Sequence, residues 1–158
     1  MRKFEKISFK QFKNDIGDNE ELYNNYSLPE RKTKNAGGYD IASLMEFDLK
    51  PGDSIVVPTG VKYISEPDEI LMIVIRSSLG FKQGIKLANQ VGIVDADYYN
   101  NESNEGHIFL KLENTGKNTF SVKIGDRIAQ GIFIKYLIAD EEEILEERKG
   151  GIGSTDGK

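Results

Sequence analysis

The chain has 158 residues, a formal net charge of -5, a pI near 5.0, no cysteine and a single histidine, His107. One domain fits that length, and disulfides, thiol nucleophiles and cysteine-ligated zinc are excluded. With one histidine, serine-histidine triads and multi-histidine metal sites are disfavoured, so a catalytic base or metal ligand is expected to be a carboxylate. The acidic balance argues against direct nucleic-acid binding through a broad basic surface, and no stretch approaches the roughly 20 apolar residues of a membrane span. Met1-Arg2-Lys3 is followed by no apolar core of signal-peptide length. The expectation is a soluble, cytoplasmic protein that does not engage membranes.

In chain order, Lys6 to Phe12 alternates enough to predict a first strand, with Ile7, Phe9 and Phe12 as its apolar positions. Asp15 to Tyr26 reads as one helical excursion, with Leu22 and Tyr26 four apart, Asp18 as its cap and Pro29 as its stop. From Tyr39 the pattern is short strands broken by turns: Tyr39 to Leu44, Phe47 to Leu49, Ser54 to Val57 and Val61 to Ile64, separated by Pro51-Gly52-Asp53 and Pro58-Thr59-Gly60. That spacing predicts an all-β sandwich, barrel or jelly roll. Glu69 to Ile75 reads as a central strand, with Leu71, Ile73 and Ile75 on one face and Met72 and Val74 on the other. Strands follow over Ile85 to Ala88, around Val91 and Ile93, over Ile108 to Leu112, over Phe120 to Ile124, and over Ile128 to Ile138. Beyond them Asp140 to Glu147 is acidic and Arg148 to Lys158 is glycine-rich. The expected organisation is a β domain over 1-139 and a flexible C-terminal arm over 140-158.

Gly92-Ile93-Val94-Asp95-Ala96-Asp97-Tyr98 places two carboxylates and an aromatic ring beside a glycine that allows a bend or a close ligand approach. It reads as the floor of an active site, although a strand end with a solvated acidic turn fits the segment equally well alone. Its company along the chain decides. Ala36-Gly37-Gly38-Tyr39-Asp40-Ile41, Arg76-Ser77-Ser78-Leu79-Gly80, Asn89 to Tyr98, Gly125-Asp126-Arg127-Ile128-Ala129-Gln130 and Arg148 to Thr155 stand in one order. Together they resemble the ordered motifs of the trimeric dUTPases, the deoxyuridine triphosphate nucleotidohydrolases, over a region from about Leu28 to the C-terminus.

That resemblance implies a distorted jelly-roll barrel with one short helix or helical insertion and a C-terminal arm, assembled as a homotrimer with shared active sites. It implies hydrolysis of dUTP to dUMP and pyrophosphate with Mg²⁺, which keeps uracil out of DNA and supplies dUMP for thymidylate synthesis. Arg76, Ser77 and Ser78 would hold the phosphates; as bare sequence they also read as an exposed strand cap. Asp95 would be the general base or water-orienting group. Tyr98 would lie under the deoxyribose and reject a 2'-hydroxyl, where the common fate of a β-protein tyrosine is the core or an edge strand. Asn89 and the hairpin backbone at Gly92 and Val94 would read the uracil edge. Asp40 would hold the metal's water shell or merely cap a turn, and Gln130 would bond phosphate or metal-bound water or be an ordinary strand residue. In the arm, Arg148 or Lys149 would meet the γ-phosphate, Gly151 and Gly153 would let the backbone close, and Ser154 and Thr155 would donate hydroxyls. Ile152 stands where the family usually places an aromatic over the uracil ring, and Tyr99-Asn100 replaces the usual arginine-glycine, as in some Gram-positive bacteria and their phages. A dCTP deaminase of the same fold, or a nucleotide-gated protein contacting a regulatory partner through residues 15-26 or the arm, are the alternatives.

Overall fold

The apolar alternation becomes eleven strands in the computed structural model, which describes residues 1-144, 148 and 150-153. They are β1 (Lys3–Lys6), β2 (Tyr39–Ala42), β3 (Phe47–Leu49), β4 (Ser54–Pro58), β5 (Val61–Ile64), β6 (Glu69–Ile75), β7 (Ile85–Leu87), β8 (Gly92–Asp95), β9 (Phe109–Asn114), β10 (Phe120–Val122) and β11 (Arg127–Lys135). Every ladder is antiparallel: a four-stranded sheet in the order β2-β11-β6-β8, a three-stranded sheet β4-β9-β7, and the pairs β1-β5 and β3-β10. The jumps in strand order between neighbours are those of a jelly roll rather than a meander, and the all-β expectation stands. No helix among the described residues is long and apolar enough to cross a membrane.

One apolar cluster joins the inward residues of the two larger sheets: Leu71 and Ile73 of β6, Ile128 and Ala129 of β11, Val57 of β4, and Leu110 and Leu112 of β9. Burying a leucine or isoleucine side chain of this kind contributes about 2 kcal/mol. β6 is central as expected, with Leu71 and Ile73 in the core. Its other face is apolar too. Ile70, Met72 and Val74 stay half-buried there, level with Ile134, Ile132 and Gln130 of β11, and Met72 is also level with the exposed Ile93 of β8.

The N-terminal third differs from its sequence reading. The first strand is Lys3–Lys6, and Phe9 and Phe12 belong to α1 (Phe9–Asp15) instead. Ser8 caps this helix by accepting the Gln11 N-H at 3.1 Å, and residues three apart share a helical face just as well as alternate residues share a strand face. The rings of Phe9 and Phe12 both pack on Tyr23, at 5.1 and 5.2 Å. The single excursion over 15-26 is likewise two segments. Asp15 ends α1, Gly17 breaks the chain at φ +145°, and α2 (Glu20–Asn25) starts from Asn19 rather than Asp18, its side-chain oxygen accepting the Leu22 N-H at 2.9 Å. α2 stops at Tyr26, whose backbone is extended, three residues ahead of Pro29.

Candidate active site

β7 and β8 with the helical turn Ala96–Tyr98 carry the third motif to the mouth of a cavity of about 510 Å³. Val56, Ile73, Leu87, Ile108 and Leu110 give it an apolar floor, and Asn89, Asp95, Tyr98, Lys111 and Arg148 bring polar atoms to its wall. Gly92 earns its place by packing: an added Cβ would stand 3.2 Å from that of Ile73, while the left-handed turn residue of the hairpin is Gln90 at φ +63°. The Tyr63 hydroxyl donates to the Val94 carbonyl at 2.5 Å and fixes the strand end just before Asp95. The Asp95 carboxylate is half exposed at the rim.

Tyr98 is 7% exposed. Its hydroxyl donates to the His107 carbonyl at 3.0 Å and accepts from Asn104 Nδ2 at 2.8 Å, and burial, opposed by the Asn104 bond and the Arg148 charge, raises its pKa. A second knot holds the Asn104 side of this arrangement, since the Asn101 oxygen accepts from the backbones of Ser103 and Asn104 and the Ser103 hydroxyl.

The described arm residues lie across the same hairpin. Arg148 donates through Nη2 to Asp95 at 2.6 Å and through Nε to Asp97 at 2.8 Å, with its guanidinium 5.9 Å from the Tyr98 ring centroid. Gly151 packs on the 103-104 loop, where a Cβ would meet Ser103 Oγ at 2.9 Å. Ile152 and Gly153 line the cavity, with most of Ile152 exposed. Lys149, Ser154 and Thr155 fall outside the described residues.

The remaining predicted residues form a separate cluster. Arg76 follows β6, with Nε 3.1 Å from Asp40 Oδ1 and Nη1 donating to the Arg127 carbonyl at 3.3 Å. Arg127 donates to Asp40 Oδ2 at 2.9 Å, so two guanidiniums share one carboxylate. Gln130 lies level with Asp40 across the β2-β11 ladder and packs against Gly38, where a Cβ would fall 2.1 Å from its side-chain oxygen. Ser77 and Ser78 stand exposed at the start of the next turn. Asp95 is level with Ile70, six residues down β6 from Arg76, so the two groups are roughly 20 Å apart along the strand at ~3.3 Å per residue.

The family model for dUTPase matches residues 24-156. The chain belongs to the dUTPase family. It is 40% identical over 131 residues to the deoxyuridine 5'-triphosphate nucleotidohydrolase of Lactococcus lactis, an alignment covering 82% of this chain and 87% of that one. It is 38% identical to the Streptococcus mutans dUTPase, whose crystal structure superimposes with a TM-score of 0.70 over 87% of this chain and 98% of that one. A dUTPase from phage phi11 of Staphylococcus aureus, described with a structural Mg(II) ion, shares the fold at 18% identity with a TM-score of 0.69 over 92% of this chain and 97% of that one.

Sequence reasoning missed Asp97, Asn104 and Arg127 as partners of site residues. Asp97 and Arg127 lay inside quoted motifs, Asp97 in a segment that also reads as a solvated acidic turn and Arg127 with no site role assigned to it. Asn104 carried no signal beyond the polar run Asn100-Asn101-Glu102-Ser103-Asn104.

Proposed function

We infer that this member of the dUTPase family hydrolyses dUTP to dUMP and pyrophosphate at the cavity under Asp95 and Tyr98. The observation that carries this is the pairing of a half-exposed carboxylate with a fixed aromatic ring at the mouth of a nucleoside-sized apolar cavity. Asn89 and the hairpin backbone at Gly92 and Val94 bind the uracil edge, and the ring of Tyr98 lies under the deoxyribose, where a 2'-hydroxyl finds no room and no partner. Asp95 orients a water and takes its proton as the water oxygen bonds to the α-phosphorus. The bond from that phosphorus to the bridging oxygen breaks, and the electron pair leaves with pyrophosphate.

Arg76, Ser77, Ser78 and Gln130 hold the phosphates, with Asp40 orienting Arg76. Arg76, roughly 20 Å from Asp95 along β6, serves the cavity of another copy, and the homotrimer with shared sites that the family resemblance implies would supply that copy. The apolar outer face of the four-stranded sheet supports such an assembly. Arg148, Lys149, Gly151, Ile152, Gly153, Ser154 and Thr155 form the closing arm, Arg148 being the cation that already reaches Asp95.

Among the described residues no group of three or more His, Asp or Glu side chains is placed to cage an ion. Gln130 and Asp40, whose carboxylate keeps lone pairs beyond its bonds to Arg76 and Arg127, would hold the water shell of a Mg²⁺ carried in on the substrate's phosphates. When bound, the ion neutralises phosphate charge. A cytoplasmic location fits this reading, since nucleotides are made there.

The test is pyrophosphate release from dUTP, dCTP, dTTP and UTP by the wild type and by Asp95→Asn. Turnover confined to dUTP and lowered about a thousandfold by the substitution is expected. Ammonia release from dCTP would instead favour the deaminase reading.

A further inference from the structure

We propose that helix α1, held by Asp15 and Ser8 against the loop carrying Glu105 and His107, is the positioning device that fixes the sugar-selecting ring of Tyr98. The proposal rests on the reading of Tyr98 as the surface under the deoxyribose. Tyr98 is fixed by its hydroxyl, which bonds to the His107 carbonyl at 3.0 Å and to Asn104 Nδ2 at 2.8 Å. The hydroxyl end of the ring is therefore tied to the 104-107 turn.

Locally the turn is held by backbone bonds, from the Glu105 N-H to the Asn101 carbonyl and from the His107 N-H to the Asn104 carbonyl at 3.0 Å each, and by the Asn101-Asn104 knot. Glu105 is a non-glycine residue at φ +60°, a left-handed conformation costing roughly 1-2 kcal/mol in an L-residue, followed by Gly106 at φ +80°. The strained Glu105-Gly106 step gains further restraints from the far end of the sequence. The Ser8 N-H and hydroxyl donate to the Glu105 carboxylate at 2.9 and 2.5 Å, on the same residue that caps α1. At the other end of the helix, Asp15 Oδ2 lies 2.6 Å from His107 Nδ1. His107 Nε2 accepts the Gly60 N-H at 2.8 Å, which leaves the ring proton on Nδ1 to donate to Asp15. His107 is fully buried, with its ring 4.3 Å from that of Phe109. α1 thus grips the turn at both of its ends, and the side chain and carbonyl of one residue, His107, link Asp15 to the Tyr98 hydroxyl.

Most of this helix reads from sequence as the end of a first strand, and its last residue, Asp15, as the start of an excursion with no readable role. The contacts give it one, acting through Tyr98 and touching no substrate. A positioning device of this kind moves selectivity more than turnover, because a ring displaced by a fraction of an ångström admits the extra hydroxyl it otherwise excludes.

The experiment measures kcat/KM for dUTP and UTP in the full chain for wild type, Asp15→Ala, Asp15→Asn, Glu105→Ala and Tyr98→Ala, with melting temperatures alongside. Expected is a fall of about tenfold in the dUTP:UTP ratio for Asp15→Ala. Asp15→Asn should keep most of the ratio, because its amide oxygen still accepts the Nδ1 proton. Should Asp15→Ala not fold, Glu105→Ala, at the partly exposed tie, carries the same test. Lower melting temperatures with an unchanged ratio would overturn the proposal and leave the helix a purely structural prop. If Tyr98→Ala itself keeps the wild-type ratio, the reading of Tyr98 fails and the proposal fails with it. If Tyr98→Ala loses selectivity while Asp15→Ala and Glu105→Ala keep it, the proposal alone is wrong.

Discussion

His107 shows how far a single side chain can tie distant sequence together. Asp15 and His107 are 92 positions apart, yet their bond is 2.6 Å long and buried on the histidine side. Burial lowers the imidazole pKa below its ordinary value, and the bond to Asp15 only partly opposes this. Below about pH 6.5 the unfolded chain therefore gains a proton that the folded protein resists. Stability is full above that pH and falls as acid carries the protein through the ordinary histidine value toward the lower folded one. A melting-temperature series from pH 7.5 down to about 5.5 should show the decline, because no second histidine titrates there and the carboxylates titrate lower. In His107→Gln, which removes the group, that part of the slope should vanish.

At the scale of elements, the loop between Tyr98 and β9 decides whether the cavity has a working wall. Gly106 is its tightest point: φ is +80°, and an added Cβ would stand 2.7 Å from the Tyr98 carbonyl oxygen. Gly106→Ala should cost about 2 kcal/mol or more, measured by chemical denaturation, and should raise the KM for dUTP beyond what the same loss of stability does elsewhere in the fold. Nothing in the sequence around Asn100 to Gly106 announces this. The strands β3 to β6 were legible because their alternation and their Pro-Gly punctuation are local signals. Residues 6-26 were not, because Phe9 and Phe12, three apart, suit either period, and what settles them is contact with Tyr23 and His107, which no local pattern encodes. The site divided the same way. Asp95 and Tyr98 stand together within one quoted motif, whereas the contact of Arg148 with Asp95 and the partners that hold these residues, Asp97 and Asn104, are visible only in three dimensions.

For the whole molecule, the central feature is the gap between the two halves of the site. Asp95 ends β8 and Arg76 follows β6, and the register that pairs Asp95 with Ile70 keeps them on opposite ends of one sheet. Between them runs the outer face of Ile70, Met72, Val74, Ile132 and Ile134, apolar and only half covered by this chain. On the proposed function, a site that joins the two draws them from different copies. The direct measurement co-expresses Arg76→Ala and Asp95→Asn chains in equal amounts and assays dUTP hydrolysis by the mixed assemblies. Each variant alone should be nearly inactive, and random mixing should restore roughly a quarter of wild-type activity, the fraction of sites pairing an intact Asp95 with an intact Arg76 from a neighbour. Mixed assemblies as inactive as the parents would contradict the shared site and place both residues at work within one chain.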